Sequence, residues 1–357
     1  MRPAWFTFAL PLAAALPQYS DRNSGSNEFS DGTKLILDST RDSEVFSDDT
    51  GRPSDRNSGS NEFRNVTGHT AWTEHYSQVN TSGKSLGPKP QPLLQDDLSK
   101  FAQPRIMTVS ALPSAHSEKE RLKVSRYWAD FQPTGFYLNP LEPITIEVSG
   151  LGGNESIFEI LLGTLSLIDP NDPNTDKSAR LLPAPWLRDG RQTLKFARGG
   201  ILYIRYVYKP NEREQVPPPV TVTFGDGPAA VPFPFYRPGV TTEAEWLDML
   251  RVTKVPFAEH AGERVILTGL AAEALKFAEE GRDQVQLLES YTYIMAVQDD
   301  ISGLDAIAPD PRDRPSPLRI MVVQGNKQEF ANAANYRVAI GGNTTSDIWA
   351  QRTLHRS

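Results

Sequence analysis

The sequence contains no cysteine. This absence excludes disulfide bonds, thiolate metal ligands and a cysteine nucleophile anywhere in the chain. Histidine is scarce as well: there are 5, and no two have the i, i+4 spacing that places two ligands on one helix face. No His-Glu-x-x-His and no Gly-x-Ser-x-Gly segment occurs. The 357 residues therefore lack the common signatures of a zinc hydrolase and of a serine hydrolase.

Three further deficits narrow the functional class. Basic residues are outnumbered, with 37 Lys and Arg against 44 Asp and Glu, whereas a general nucleic-acid binder needs a basic face. No apolar run reaches the roughly 20 residues that cross a bilayer. No block of Lys and Arg suggests a membrane-surface patch either. We therefore expect no nucleic-acid partner and no membrane span.

The N-terminal region differs in composition from the rest. An apolar run from Ala4 to Leu16 has the length of a signal-peptide core, so residues 1–19 are predicted to be the signal peptide of a secreted or cell-surface protein. A buried apolar segment is the alternative. Residues 20–92 are rich in Ser and Asn and contain the segment SDRNSGSNEF twice. Their few apolar side chains cannot offset the entropy of ordering the backbone, so we expect a disordered leader.

Residues 93–124 are predicted to be a helical linker. A short amphipathic helix is expected over LLQDDLSKFA, which begins at Leu93. A second is expected over SAHSEKERLKVSRYWADF, ending before Pro133, with an apolar side made of Leu122, Tyr127, Trp128 and Phe131.

Residues 125–235 have the pattern of short strands. In PITIEVSG, apolar and polar residues alternate, which predicts a half-buried strand with Thr145 and Glu147 facing outward and Ile144, Ile146 and Val148 facing inward. IFEILLGTLSLI is predicted to be a strand pair. Further strands are expected in RQTLKFA, GGILYIRYVY and PPVTVTFGDG, each bounded by Gly or Pro. Together these segments predict an antiparallel β-sandwich.

Residues 236–357 mix helical and strand patterns. Thr242 and Glu245 fit a capping box that opens a helix with Trp246, Met249 and Leu250 on one face. Gly281 fits the C′ position of a second helix, and a third is expected to bury Val285, Leu288 and Met295. The predicted fold class is α+β: a disordered leader, an antiparallel β-sandwich, and the start of a mixed α/β domain that is incomplete at residue 357.

Three sets of residues are candidates for binding. Two are acidic loops in which oxygen ligands could hold calcium, although Asn/Asp-Pro turns and a solvated loop are the preferred readings. The third is a set of aromatic residues that could stack on sugar rings, with packing in the core as the preferred role for most of them. The loops contain Asp169, Asn171, Asp172, Asn174 and Asp176, and Asp299, Asp300 and Asp305; the aromatic residues are Tyr137, Trp186, Tyr203, Tyr206, Tyr208, Phe233, Phe235 and Tyr236.

Three stretches in order resemble one peptidase family. RYWADFQPTGFYLNPLEPITIEVSG contains Trp128, the segment Pro133–Phe136 and a strand of alternating aliphatic residues. ARGGILYIRY and PFYRPGVTTEAEWLDMLRVTKVPFAEHAGERVILT follow it. These stretches resemble the enhancin-like zinc metallopeptidases, peptidase family M-sixty, especially the bacterial members that act on mucins and other glycoproteins. The resemblance covers residues 118–357 and leaves the leader out.

The resemblance implies a zinc endopeptidase with a glycoprotein or mucin-type substrate. In that family a segment with a tryptophan, here Trp349, leads into a His-Glu-x-x-His helix, and an acidic third ligand follows. No such residues are present in this sequence. We therefore expect a truncated, inactive chain with no catalytic residue, no metal ligand and no specifically bound zinc, and with unknown substrate-binding residues. The segment after Thr241 would then expose apolar side chains such as Trp246 and Met249.

A binding protein is the alternative to a peptidase fragment. In that interpretation the β-sandwich recognises glycans or proteins by itself and no catalytic part is missing. A weaker option is a fragment of a surface protein or adhesin, which the repeated Ser/Asn-rich leader suggests.

Overall fold

The computed structural model describes residues 103–125, 127–152, 157–174, 182–208, 216–328 and 330–350. The predicted signal peptide, the leader and the first helix of the predicted linker lie outside the described residues. Within the described part there are four α-helices and two short 3-10 helices. They are α1 (Ala115–Leu122), α2 (Glu243–Val252), α3 (Ala271–Glu279) and α4 (Gln284–Ile301), with 3-10 turns at Pro311–Asp313 and Gly342–Trp349.

The described strands form three sheets. In chain order they are β1 (Ile106–Val109), β2 (Leu112–Pro113), β3 (Gln132–Leu138), β4 (Pro143–Ser149), β5 (Ile157–Leu162), β6 (Leu182–Trp186), β7 (Gly190–Lys195), β8 (Gly200–Tyr208), β9 (Val220–Phe224), β10 (Ala230–Pro232), β11 (Phe235–Tyr236), β12 (Phe257–Ala261), β13 (Val265–Leu270), β14 (Ile320–Gln324), β15 (Asn332–Ala334) and β16 (Arg337–Ile340).

The first two sheets pack face to face as a β-sandwich. Their strand orders are β1-β9-β4-β7 and β10-β3-β8-β5-β6. All these neighbours are antiparallel, and only the two-residue strand β2 pairs with β8 in parallel. In β4 the residues Ile144, Ile146 and Val148 are buried and Glu147 is exposed. The inward residues join a core built from both sheets, so the predicted sandwich and the predicted face of β4 are confirmed.

Ile146 offers a test of this core. Its side chain is 0% exposed between the two sheets. Ile146→Ala is expected to lower the free energy of unfolding by about 2–4 kcal/mol, because it removes buried methyl groups and leaves a cavity. Thr145→Ala, on the outer face of the same strand, is the matched control and should change it by no more than about 0.5 kcal/mol. Denaturant titration measures both, and a loss below about 0.5 kcal/mol for Ile146→Ala would invert the assigned face.

Two predictions for the N-terminal part of the sandwich differ from the structure. Helix α1 ends at Leu122, because Lys123 adopts a left-handed conformation with φ 54. Trp128 and Phe131 are therefore buried beyond the helix and do not lie on its apolar side. The expected helical linker also contains β1, which pairs with β9 more than a hundred residues later.

The segment IFEILLGTLSLI forms one strand and not a pair. Strand β5 ends at Leu162. Gly163 (φ 90) and Ser166 (φ 59) then have positive φ values, which interrupt the extended backbone. Leu167 and Ile168 are nevertheless buried, in the core between the sandwich and the third sheet.

The third sheet is mixed and carries the remaining helices. Its order is β11-β12-β13-β14-β16-β15, with parallel pairs β11–β12, β13–β14 and β14–β16. At the start of α2 the Thr242 side chain accepts a hydrogen bond from the Glu245 backbone, and Glu245 accepts one from the Thr242 backbone. The predicted capping box is confirmed. The predicted C′ position of Gly281 is confirmed too, because this residue follows α3 with φ 71. The α+β fold class is likewise confirmed.

The expected exposure of Trp246 and Met249 is wrong. They are 0% and 3% exposed, because α2 packs on the mixed sheet and on α3. In α4, Leu288 and Met295 are buried as predicted, whereas Val285 is 39% exposed. Val285 belongs to an outer row of α4 at four-residue spacing, in which Tyr293, Val297 and Ile301 are exposed too.

Candidate functional site

The sandwich and the mixed sheet share a buried interface. Its core contains Phe131, Leu161 and Tyr203 from the sandwich side and Ile266 and Met321 from the mixed sheet. Two groups of polar or titratable side chains are enclosed there or next to it, and both involve strand β12. Because neighbouring residues of a strand point to opposite faces, Glu259 and His260 enter two different environments.

The first group is the junction cluster, formed by Thr164, Tyr203, Glu259 and Thr268. The Tyr203 hydroxyl donates a hydrogen bond of 2.6 Å to Glu259 Oε2, and the Thr268 hydroxyl donates one of 2.8 Å to the same oxygen. Thr164 Oγ1 lies 3.0 Å from the Tyr203 hydroxyl oxygen and completes the chain of hydroxyl groups. Glu259 Oε1 is buried and has no hydrogen-bond partner among the described residues.

Burial dominates the electrostatics of Glu259. It raises the pKa of this carboxyl from 4.5 to about 7, although the hydrogen bonds from Tyr203 and Thr268 and the charge of Arg319 act in the opposite direction. A carboxyl group with such a pKa could serve as a general acid or base. Glu259 is 0% exposed, however, so a substrate outside the protein does not reach it. We therefore assign the junction cluster a structural role.

The second group is the aromatic box, formed by Tyr236, Trp246, His260 and Trp349. The His260 ring lies 4.5 Å from the Trp246 ring, 5.1 Å from Tyr236 and 5.2 Å from Trp349, measured between centroids. Both ring nitrogens of His260 and both indole nitrogens lack hydrogen-bond partners among the described residues. Burial lowers the pKa of His260 to about 3, although the nearby Gln284 side chain acts in the opposite direction. The imidazole is thus neutral and enclosed.

A buried ion-pair network supports the sandwich near α1. Arg205 donates hydrogen bonds to both carboxylate oxygens of Asp130 and one of 2.8 Å to Glu159. Asp130 Oδ2 also accepts the backbone N–H of Ala115 at the start of α1. Burial acts to lower the pKa of Arg205, but the two carboxylates outweigh it and the pKa is raised. This network fixes the start of α1 to the sheet.

Two family models match the chain in succession. Residues 113–223 match the N-terminal domain of M60-like peptidases. Residues 229–356 match the model described as Peptidase M60, enhancin and enhancin-like. The chain belongs to the enhancin-like M60 peptidase family. The resemblance to this family that the sequence indicated is therefore confirmed. A comparison with curated proteins gave no match.

Solved structures share the fold of this M60 chain. A functionally unknown conserved protein from Bacillus anthracis is 21% identical with a TM-score of 0.56, over 70% of this chain and 47% of that one. The catalytic module of ZmpA from Clostridium perfringens is 13% identical with a TM-score of 0.58, over 71% and 51%. The M60 catalytic domain of Clostridium perfringens ZmpC, in complex with the sialyl T antigen, is 15% identical with a TM-score of 0.54, over 68% and 49%. The chain spans about half the length of these structures.

The two acidic segments of the M60 chain differ in structure, and the first forms turns. Asp169 Oδ1 accepts the Asn171 backbone N–H, and Asp172 Oδ1 accepts that of Asn174, as in Asx turns. Asp299 pairs with Arg264 at 2.9 Å, and Asp305 accepts the Ile307 N–H. The turn interpretation accounts for Asp169 and Asp172, and Asp305 lies in a loop. Asp299 and Asp300 belong to the last turn of α4, so the loop interpretation is wrong for them. Asp176 lies outside the described part.

Most of the aromatic candidates pack in the interior. Tyr203, Tyr206, Phe233, Phe235 and Tyr236 are at most 3% exposed, and Tyr137 and Tyr208 are half-buried. Trp186, at the end of edge strand β6, is 61% exposed. Most of these aromatic residues therefore pack in the core, as preferred from the sequence. Trp186 is the one among them that could offer a free aromatic face.

The described residues contain no group of three or more His, Asp or Glu side chains that could hold a metal ion. His116 is exposed on α1 and His260 is enclosed in the aromatic box; the other three histidines lie outside the described ranges. An open groove of about 590 Å³ lies beside α4 and is lined by Glu263, Glu289 and Arg319 among others. These side chains do not fit a zinc site in this part of the protein.

Glu259 and His260 are not among the site residues predicted from the sequence. The contacts that give them their properties are not local, because Tyr203 lies 56 positions before Glu259. The available signal was a pair of titratable residues inside a short apolar strand, where the strand pattern predicts burial.

Proposed function

We propose that this chain forms the N-terminal part of the catalytic module of a secreted zinc metalloendopeptidase that acts on glycoproteins such as mucins. The observation that carries the proposal is the ordered match of two family models, one after the other, over the sandwich and the mixed α/β part. The complex of ZmpC with the sialyl T antigen supports a glycoprotein substrate. The apolar segment in residues 1–19 supports secretion, and no helix in the described part is long and apolar enough to span a bilayer.

The described residues would act as a scaffold in this function. When bound, zinc would polarise the scissile carbonyl and activate a water molecule. The described side chains do not converge on a metal, and the sequence has no His-Glu-x-x-His motif, so we derive no catalytic step from them. We propose that the 357-residue polypeptide does not cleave glycoproteins by itself. In this proposal the 357 residues contribute the mixed sheet with its helices, and the sandwich packs against that sheet and supports it.

The test compares two polypeptides. The first has the 357 residues, and the second is extended by the codons that follow codon 357 in the gene. Zinc content and cleavage of a sialylated mucin-type glycopeptide are measured for both, with and without a chelator. We expect cleavage and one zinc ion per molecule only in the extended form. Its matched control carries Glu→Gln at the motif glutamate, which should retain zinc and lose cleavage.

Two outcomes would contradict the proposal. Chelator-sensitive cleavage with stoichiometric zinc in the 357-residue chain would require a metal site in that chain. An extension without a zinc motif, combined with glycan binding by the 357 residues, would favour the binding-protein alternative. Trp186 provides the observation for that alternative, since its exposed ring could stack on a sugar. Loss of glycan binding in Trp186→Ala would then locate the surface.

A further inference from the structure

One side-chain hydrogen bond at the shared interface crosses from the sandwich to the mixed sheet with both partners fully buried. Tyr203 belongs to β8 in the middle of a sandwich sheet, and Glu259 belongs to β12 of the mixed sheet. Both residues are 0% exposed, and the bond between them measures 2.6 Å. The apolar side chains around them have no directional contacts, so this bond helps to fix the register of one sheet against the other, together with the buried hydrogen bond that Arg337 donates to Ser166.

The two oxygens of the Glu259 carboxyl group differ. Oε2 accepts two hydroxyl hydrogen bonds, while the buried Oε1 accepts none from the described residues. A carboxylate has about four acceptor positions, and a buried charge with unfilled positions is unfavourable. A protonated carboxyl group carries no net charge and still accepts the two bonds at Oε2. The two hydroxyl donors favour the ionised form, but the complete burial of the carboxyl group and the absence of a donor to Oε1 among the described residues disfavour the charge.

The charged and titratable groups around Glu259 do not change this conclusion. Arg319, which precedes β14, is the cation that acts on Glu259, but its Nε donates to Gly262 and its charge is shared with Glu263. On the sandwich side the facing group is Tyr203, and on the side of β16 it is Tyr336, which acts on Tyr203. Burial raises the pKa of Tyr203 well above its ordinary value, so it remains a hydrogen-bond donor.

We propose that Glu259 is a proton-dependent lock between the sandwich and the mixed sheet: the dry interface around it is stable while the carboxyl group is protonated, and it is destabilised when the proton is lost. In the locked form the neutral carboxyl accepts the Tyr203 and Thr268 hydroxyls in a dry interface. In the ionised form the two hydroxyl hydrogen bonds are stronger, but the buried charge has no donor to Oε1 from the described part of the chain, and this larger cost favours the entry of water between the sheets. The raised pKa of Glu259, about 7, places this change near neutral pH.

The sign of the effect on stability follows from linkage. The pKa of Glu259 is raised above the unfolded value of 4.5, so the folded chain binds more protons between pH 4.5 and about 7. The folded state is therefore destabilised as the pH rises through this window, and the effect is constant above it. The expected change in the unfolding equilibrium constant is on the order of 100-fold.

The experiment compares the full chain with Glu259→Gln by denaturant unfolding at pH 5 and pH 8. Glutamine mimics the protonated carboxyl group and cannot ionise. We expect the ratio of the wild-type to the variant unfolding constant to increase on the order of 100-fold from pH 5 to pH 8. Glu147→Gln, on the exposed face of β4, is the matched control and should leave its ratio unchanged. A Glu259→Gln ratio that changes less than about two-fold would overturn the proposal.

A direct titration keeps the proposal testable if Glu259→Gln does not fold. The side-chain carboxyl carbons are labelled with carbon-13 and followed by NMR in the wild-type chain and in Tyr203→Phe. We expect one Glu resonance with a midpoint near pH 7. In Tyr203→Phe this midpoint should move upward, because the hydrogen bond from Tyr203 favours the ionised form. Titration of every Glu resonance below pH 5.5, or a midpoint unmoved in Tyr203→Phe, would overturn the lock.

Discussion

Replacing Arg205 by methionine is expected to lower the free energy of unfolding by about 3–5 kcal/mol. The side chains of Arg205, Asp130 and Glu159 are 12%, 3% and 7% exposed. Methionine has a similar length but no charge, so two carboxylates would remain in the interior without their common cation. The cost arises from this uncompensated charge and not from the loss of a strong net attraction. Denaturant titration at neutral pH measures the effect.

Two comparisons make this prediction specific. Arg251 forms an ion pair with Glu279 in which both side chains are 51% exposed, so Arg251→Met should cost no more than about 1 kcal/mol. The triple variant Arg205→Met, Asp130→Asn, Glu159→Gln removes all three charges and keeps an acceptor for the Ala115 N–H. It should be more stable than Arg205→Met alone. Equal losses for Arg205→Met and Arg251→Met would show that burial of the network does not matter.

The elements predicted well from the sequence are those specified by neighbouring residues. The alternation around Ile146 depends on the two-residue period of a strand, and the structure buries its apolar side. The capping box of Thr242 and Glu245 needs only three residues of separation. Gly281 after α3 is placed by its ability to adopt positive φ. Each of these signals is local, so a single sequence contains it in full.

The features missed from the sequence depend on distant partners. Strand β1 joins the sandwich through β9, and no pattern within its four residues indicates that pairing. The exposure expected for Trp246 rested on a missing packing partner, whereas Tyr236 and the His260 ring cover it. The candidate site was missed for the same reason, because its contacts join residues that are distant in the sequence. Glu259 has its properties because Tyr203 and Thr268 reach it from other strands.

Trp246→Ala is expected to lower the free energy of unfolding by about 3–5 kcal/mol. The indole is 0% exposed and lies against Tyr236 and His260 in the aromatic box, with ring centroids 5.8 Å and 4.5 Å away. Alanine would leave a large cavity between α2 and the mixed sheet, and the surrounding rings cannot collapse into all of it. Trp186→Ala is the matched control, because that ring is 61% exposed and its loss should change stability by no more than about 0.5 kcal/mol.

The pH dependence of the same variant tests the enclosure of His260. In the folded wild type the pKa of His260 is lowered from 6.5 to about 3, so the unfolded chain binds more protons between these values. Stability from this group is therefore present above pH 6.5 and is lost as the pH falls toward 3, by about 1.4 kcal/mol per pH unit. In Trp246→Ala, water reaches the imidazole through the cavity and its pKa returns toward 6.5. The variant should therefore lose less stability on acidification than the wild type, and the two unfolding curves should converge at low pH. A constant difference between them from pH 7 to pH 4 would mean that Trp246 packs beside His260 without excluding water from it.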